Sequence, residues 1–445
     1  MYLTSTKLTK NELVSFIITI GALYLLRGYI AARAQLVTFI LFALTVYSIE
    51  MLLETGKKRY GIYLFIIPVL IANLHLAVWP FFFILFLPYI GEYILSFIAD
   101  NPKWTRNIRI KILKRKLLKQ KDEQKLKKIQ EKINQIDLKY ISLAKKQKKL
   151  KENPYKIEIT RNKNTILLII MMMICVVTGL LTPFNGIQPY THLYNLMRGN
   201  TTQSINEHLP MTLINNIEFL GVVVIFLGIL IFTDTKIKLK DLFMTGGLII
   251  LALKTRRQAS MVFLLCSVIL TRLVTAIFNK YDKGGCEKVV KQAITVHGKI
   301  IVVSLVLIVS LLIIEPKIGE EFILESSYPV HATEYIKENI DLETMKLYNE
   351  YNYGSYLLLQ DIPVFIDSRS EPYAPEFTGK QDIFSDFINI SNIGVYYETK
   401  FEEYNITHVI LYKNARLNMF LSRNDDYEEL YSDDYFVIYK RLIAI

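Results

Sequence analysis

Cysteine is scarce in this sequence, with 3 in 445 residues. Cys175 and Cys266 lie in apolar runs and Cys286 lies in a basic loop, so no disulfide framework or metal-binding spacing emerges. A glycine-rich phosphate loop, a zinc spacing and a Ser-His-Asp signature are all missing. That removes the usual sequence signs of nucleotide, zinc and triad chemistry. Charge is thin, at 21% of residues, whereas 52% are hydrophobic and mean hydropathy is +0.28. Several apolar runs exceed about 18 residues, which is unusual for a soluble chain. The chain reads as a polytopic α-helical membrane protein of the cell membrane. No cleavable signal peptide is needed, because the first apolar run can act as its own insertion signal.

Positive charge is concentrated in one place. Residues Asn101 to Asn164 hold 22 Lys and Arg against 6 Asp and Glu, whereas the whole chain carries only +12. Basic loops beside apolar spans stay cytoplasmic, because carrying Lys and Arg across a bilayer is costly. This stretch is therefore the inner reference. Leu126, Ile129, Ile133, Ile136, Tyr140, Leu143 and Leu150 follow a 3-4 spacing, broken at Gln147, which predicts a coiled-coil helix. Ile108, Ile112 and Leu117 predict a shorter helix before it, and together a helical hairpin. Such an arm could dock a cytoplasmic protein or bind anionic lipid headgroups, or it could be a solvated insertion serving topology alone. Nucleic acid is not expected as a partner, since no aromatic platform accompanies the charge.

Counting outward from the arm predicts about nine spans. They fall near 13–29, 35–53, 61–75, 79–98, 165–181, 217–232, 242–253, 259–278 and 300–314. The segments are then 1–100 (four spans), 101–164 (the arm), 165–315 (five spans) and 316–445. The last is expected to be a small extracytoplasmic α/β domain, because acids rise there and short apolar strands alternate with amphipathic helices. Strands are predicted at 345–348, 364–366, 408–411 and 435–439, and helices at 329–339, 354–359, 381–388 and 393–404. Two clusters break the charge bias. Arg27 with Arg33, and Lys254 with Arg256 and Arg257, fall at the outer surface, where cations suggest an anionic partner such as a lipid phosphate. Contact with headgroups in general is the plainer reading.

Several short motifs occur in a familiar order. Arg33-Ala34-Gln35 resembles an Arg-Pro-Gln span start, and Ala72-Asn73-Leu74-His75 resembles a Trp-Ala-Asn-Leu-His-Gly element. Thr182 to Gly186 resembles Asn-Pro-x-Gly, and Ile205 to Pro210 resembles Ile-x-Glu-Trp-x-Pro. Lys254 to Gln258 resembles the polar hinge that follows. Tyr328-Pro329-Val330, Tyr348 to Leu357 and Val364 to Arg369 resemble Tyr-Pro-Val, Phe-Asn-x-Tyr-x-Trp-Gly-Gly-Tyr-Leu and Val-Phe-Ile-Asp-Gly-Arg. Together they resemble bacterial relatives of the GT-C glycosyltransferases, which use polyprenyl-phosphate-linked sugars. The resemblance implies such a sugar and membrane lipids as partners. It also implies a catalytic carboxylate in the first outer loop, acting as base or as ligand to a divalent metal. Here residues 30–34 contain no Asp or Glu. The chain is therefore expected to begin partway through the family's membrane core, as a truncated or split member or an inactive one. Leu76 replaces the Gly of one element and His208 the Trp of another.

Within that frame Arg256, Arg257 and Arg33 are expected to hold the lipid phosphate. Glu207 could be a general base or cap a short interfacial helix, and His75 could carry a proton near neutral pH. Asn73 could hydrogen-bond a sugar or satisfy backbone groups freed at a span break. Asp367 and Arg369 end an expected strand, where they could face a sugar or acceptor, or form a pair that holds a loop. The expected function is transfer of a lipid-linked sugar at the outer face. The alternative is a non-catalytic scaffold that keeps the fold and docks partners through its arm.

Overall fold

A computed structural model describes residues 1–30, 34–100, 102–119, 123–150, 156–183, 186–198, 205–282, 284–315, 318–319, 323–393 and 396–442. The chain forms two compact units. One comprises 1–193 with 207–298, the other 194–206 with 299–445.

The first unit is helical. Its elements are α1 (Tyr2–Thr9), α2 (Glu12–Leu26), α3 (Ala34–Thr55), α4 (Lys58–Leu74), α5 (Trp79–Ile84), α6 (Leu87–Asp100), α7 (Pro102–Lys119), α8 (Glu123–Leu150) and α9 (Thr165–Cys175). After α10 (Gln188–Arg198) come α11 (Ile217–Phe232), α12 (Leu239–Lys254), α13 (Ala259–Tyr281) and α14 (Gly285–Ile294). Among the described residues four segments are long and apolar enough to cross a membrane: Glu12–Tyr29, Ala34–Thr55, Leu76–Ser96 and Arg256–Tyr281. Thr165–Leu180 and Ile217–Phe232 are apolar but shorter. Helices also occupy the other expected span positions, at α4 and α12 and, largely within the second unit, at α15 (Val296–Ile314).

Local chemistry explains several of these elements. Asn11 caps α2, its side chain accepting from the Val14 amide at 3.1 Å. Pro68 lies inside α4 and has no N–H to give the Leu64 carbonyl one turn back. The Cys175 thiol of α9 donates to that carbonyl at 3.2 Å, so the helix continues with its freed acceptor satisfied. The core beneath is apolar and fully buried, with Ile49 and Leu52 of α3 against Leu64 and Ile71 of α4 and Phe82 and Phe86 beyond.

Helices α7 and α8 pack on each other as a hairpin. In α8 the first part of the predicted seam is visible, as Leu126, Ile129 and Ile136 are half-buried and Ile133 is buried among exposed neighbours, while the side chains of Tyr140, Leu143 and Leu150 lie outside the described residues. In α7 the pattern departs from expectation. Ile112 is exposed and Ile110 and Leu113 are half-buried instead; Leu117 is half-buried as expected, and the Ile108 side chain lies outside the described residues. The chain returning from the arm is tied to the helical unit by its backbone and by two asparagines. β1 (Ile157–Glu158) pairs in parallel with β2 (Ile237–Lys238), and Asn162 and Asn164 donate to the Leu53 carbonyl at 2.8 and 3.0 Å.

The second unit contains a four-stranded sheet of order β3-β4-β6-β5. The strands are β3 (Leu347–Tyr348), β4 (His408–Tyr412), β5 (Tyr427–Ser432) and β6 (Phe436–Arg441). β3 and β4 are parallel, and the other pairings are antiparallel. Alternation along β4 and β6 divides the core. Val409, Leu411, Val437 and Tyr439 face one buried cluster, and Ile410, Phe436 and Ile438 face the other. Helix α16 (Val330–Asn339) lies with the second cluster, α19 (Ile383–Ser391) and α20 (Tyr397–Glu403) with the first; α17 (Gly354–Leu359) and α18 (Pro375–Thr378) fall between α16 and α19 in the chain.

The predicted strand at 364–366 is absent and β5 was not anticipated. Residues 364–366 join no ladder, and the chain bends at Phe365. Their backbone is satisfied by the buried Asn349 side chain, which accepts from the Phe365 amide at 2.9 Å and donates to the Ile366 carbonyl at 2.7 Å. Gly354 makes this possible, since a Cβ there would sit 2.1 Å from the same carbonyl.

Candidate functional site

Short connections turn neighbouring helices back on one another, so residues distant in sequence gather at two ends of the helical unit. The first may be named the hinge end. Here α12 and α13 are joined through Thr255 and a 3-10 turn, Arg256–Gln258. A returning loop is seated on this turn. The Met211 amide donates to the Leu253 carbonyl at 3.1 Å, and Arg256 donates from its amide to Leu209 at 3.1 Å and from Nε to the Pro210 carbonyl at 3.3 Å. Glu207 and His208, in a 3-10 turn directly before Leu209, are carried to the same end. Arg256 and Arg257 are half-buried.

The start of α3 and the end of α4 complete this end. Thr38 Oγ1 and His75 Nδ1 lie 2.6 Å apart, and Gln35 Nε2 donates to Ser260 Oγ at 3.4 Å. Arg27 pairs with Glu218 at 2.9 Å and covers the Tyr24 ring. Trp79 donates to Thr178 Oγ1 at 3.3 Å and meets Tyr190 edge-on. The Asn73 amide donates to the Val69 carbonyl one turn back in α4 and to the Leu181 carbonyl, at 2.8 and 3.2 Å. The fold thus brings Glu207, His75, Asn73, Arg256 and Arg257 to one end. Arg33 and two residues of the Thr182 to Gly186 motif, Phe184 and Asn185, lie outside the described residues.

Asp367 and Arg369 belong to the other unit. The Asp367 side chain is fully buried and accepts from the Arg369 amide at 2.7 Å, from its guanidinium at 2.5 and 3.0 Å, and from Tyr373 at 2.9 Å. Burial alone would raise this carboxyl, but the Arg369 and Tyr373 hydrogen bonds outweigh it and hold the pKa below its ordinary value. These contacts fix the loop, and Arg369 remains largely exposed.

At the opposite, or loop, end lies a group that sequence reasoning missed. Glu50 of α3 accepts from Lys240 of α12 at 2.8 and 2.9 Å, from Arg272 of α13 at 2.7 Å and from Tyr89 of α6 at 2.9 Å. Arg272 also pairs with Asp241 at 2.7 Å. All four charged groups have side chains no more than 15% exposed. Two cations and two carboxylates leave the quartet neutral, and it ties three helices together. The signal was available. Glu50 and Arg272 each stand inside an apolar run, where a charge is costly and needs a partner. Among the described residues, no group of three or more His, Cys, Asp or Glu is placed to hold a metal ion. No protein-family profile matches this chain, and no curated protein matches it.

Proposed function

We propose that this is a GT-C-like envelope protein that binds a polyprenyl-phosphate-linked sugar at the hinge end. In this reading about nine helical segments cross the cell membrane, shorter ones being accommodated within the bundle. The N-terminus and the basic arm are cytoplasmic, and the sheet-containing unit is extracytoplasmic. The observation that carries the reading is the Arg256–Gln258 turn. It sets two guanidiniums at a break between two apolar helices, and the Leu209 to Met211 loop seated on it carries Glu207 and His208 to the same end. Guanidiniums suit phosphate oxygens because their donors form a rigid fork. His75, held by Thr38, and Glu207 are the groups available to handle a proton.

A specific observation favours the non-catalytic alternative. The sequence from Ile30 to Ala34 supplies no carboxylate. Binding without turnover, with the arm as a docking element, is then the reading to test against transfer.

Titration with a short-chain polyprenyl phosphate tests the site. The Arg256→Gln/Arg257→Gln variant should bind about tenfold or more weakly, since each charge-assisted hydrogen bond contributes on the order of 1.5–3 kcal/mol. Thermal melts run alongside separate lost affinity from lost fold, and equal affinity in a folded variant sinks the proposal. Orientation is tested by impermeant thiol labelling in intact cells of Cys at Lys125 and at Met419, the latter 60% exposed. Labelling at 125 without labelling at 419 would reverse the assignment.

A further inference from the structure

Beside the buried quartet lies a cavity of about 280 Å³. Its charged lining consists of Glu50, Glu54, Glu92, Lys238, Lys240 and Arg272. Three carboxylates face three cations, so the lining is neutral as a whole. The charges are nevertheless layered. Lys240 and Arg272 form the inner wall with side chains 10% and 15% exposed, whereas Glu54 and Lys238 are exposed at the mouth. Lys240 gives two hydrogen bonds to Glu50 and has a third proton in hand. Glu92 forms a side wall and accepts from the amide and hydroxyl of Thr160 at 3.2 and 3.3 Å. That contact closes the cavity with the segment returning from the basic arm.

We propose that this cavity binds a small zwitterionic phosphodiester of the glycerophosphoethanolamine type, with a primary ammonium a few bonds from a singly charged phosphate. A ligand of one sign would meet three groups of its own sign, two of them poorly solvated, where such contacts are costly. A dipolar ligand adds no net charge. Its phosphate has Lys240 and Arg272 to meet, and its ammonium has Glu54 and the remaining lone pairs of Glu92. A quaternary ammonium fits less well. It cannot donate to carboxylates, and the two tyrosines in the lining already carry the protein's own cations. Lys240 lies 5.0 Å from the Tyr89 ring and Arg161 lies 5.7 Å from the Tyr93 ring. The volume suits a headgroup or a free ester and excludes a lipid tail. The proposal does not depend on the hinge end.

The test uses the full chain in phosphatidylglycerol nanodiscs, titrated calorimetrically with glycerophosphoethanolamine, glycerophosphocholine and glycerol 3-phosphate. The first should bind at least tenfold more tightly than either of the others. Glu54→Gln and Lys238→Gln lie outside the paired quartet, so both should fold, as melts will show, and each should weaken binding about tenfold. A second arm replaces the disc lipid with phosphatidylethanolamine. Binding of the soluble ester in the first arm identifies a solute site. A rise in melting temperature confined to the second arm, and lost in Glu54→Gln, identifies a lipid headgroup site. Indifference to all three esters together with equal melting in both lipids would overturn the proposal. So would equal binding of the three esters, or affinities unchanged in both variants.

Discussion

Replacing Arg272 with Met should be among the most damaging single changes in the helical unit. The side chain is 15% exposed and gives one guanidinium nitrogen to Glu50 and another to Asp241, each at 2.7 Å. Its loss leaves Glu50 with Lys240 and strips Asp241 of its guanidinium in a buried position. Removing one partner of a buried ion pair costs about 3–5 kcal/mol, because the remaining charge is left uncompensated. That corresponds to more than a hundredfold in the folded-to-unfolded ratio, at about 1.4 kcal/mol per factor of ten. The pair Arg27–Glu218 supplies an internal comparison. It has the similar distance of 2.9 Å, but its side chains are 52% and 44% exposed. Solvent screening limits such a pair to about 1 kcal/mol or less. Converting all four quartet residues together to apolar ones of similar size should recover much of the loss, since no charge is then stranded. Unfolding in mixed micelles of rising SDS fraction, followed by far-ultraviolet circular dichroism, measures all three variants. If Arg272→Met costs no more than Arg27→Gln, water reaches the quartet freely and it does not organise the unit.

Other outcomes follow from single contacts. Gly354→Ala should destabilise the sheet-containing unit by about 1–3 kcal/mol or more, as overpacking does, because the new Cβ would meet the Ile366 carbonyl; urea melts will show it. Deleting Pro102 to Leu150 with a flexible bridge should leave the helical unit folded, while extending the deletion to Asn164 should not, because it removes β1 and the Asn162 and Asn164 contacts; extractable yield distinguishes them. Burial, with Lys440 nearby, lowers His408 below its ordinary 6.5, so the fold favours the neutral ring. Its contribution is therefore complete above about pH 6.5 and is lost as pH falls through the lowered value. Melts of wild type and His408→Gln should converge on acidification if this holds, and a constant gap would refute it.

Periodicity made most of the architecture legible. The nine apolar stretches are helical, and the 3-4 seam of α8 was readable because an apolar residue at every third or fourth place has only one face to occupy. In the sheet, β4 and β6 could be located from short apolar runs because both of their faces are covered. β5 was invisible for the opposite reason. Tyr427 to Ser432 reads YEELYS, with Glu428, Glu429 and Ser432 breaking any apolar run, and only pairing with β6 makes it a strand. Residues 364–366 misled in the other direction. Val-Phe-Ile has the composition of a strand, but a side chain rather than a neighbouring backbone supplies its hydrogen bonds, and one buried Asn cannot be recognised as that partner from sequence alone.

The two ends of the helical unit show the same division more sharply. At the hinge end, motif order brought attention to residues that the fold does assemble, because a break between helices leaves a polar sequence that stands out. At the loop end the polar residues are dispersed at positions 50, 89, 240, 241 and 272, one or two to a helix, within runs whose average is strongly apolar. Averaging over a window erases a single Glu. The cost of burying that Glu is not averaged, because it falls on one group and must be met by specific partners. Each isolated charge in an apolar run is therefore a statement that another, elsewhere in the chain, is close in space. Lys240 and Asp241 sit in the first turn of α12, whereas Glu50 and Arg272 stand inside apolar runs and each require a partner. Reading those charges as a set to be paired, before counting spans, would have placed α3, α12 and α13 side by side from sequence.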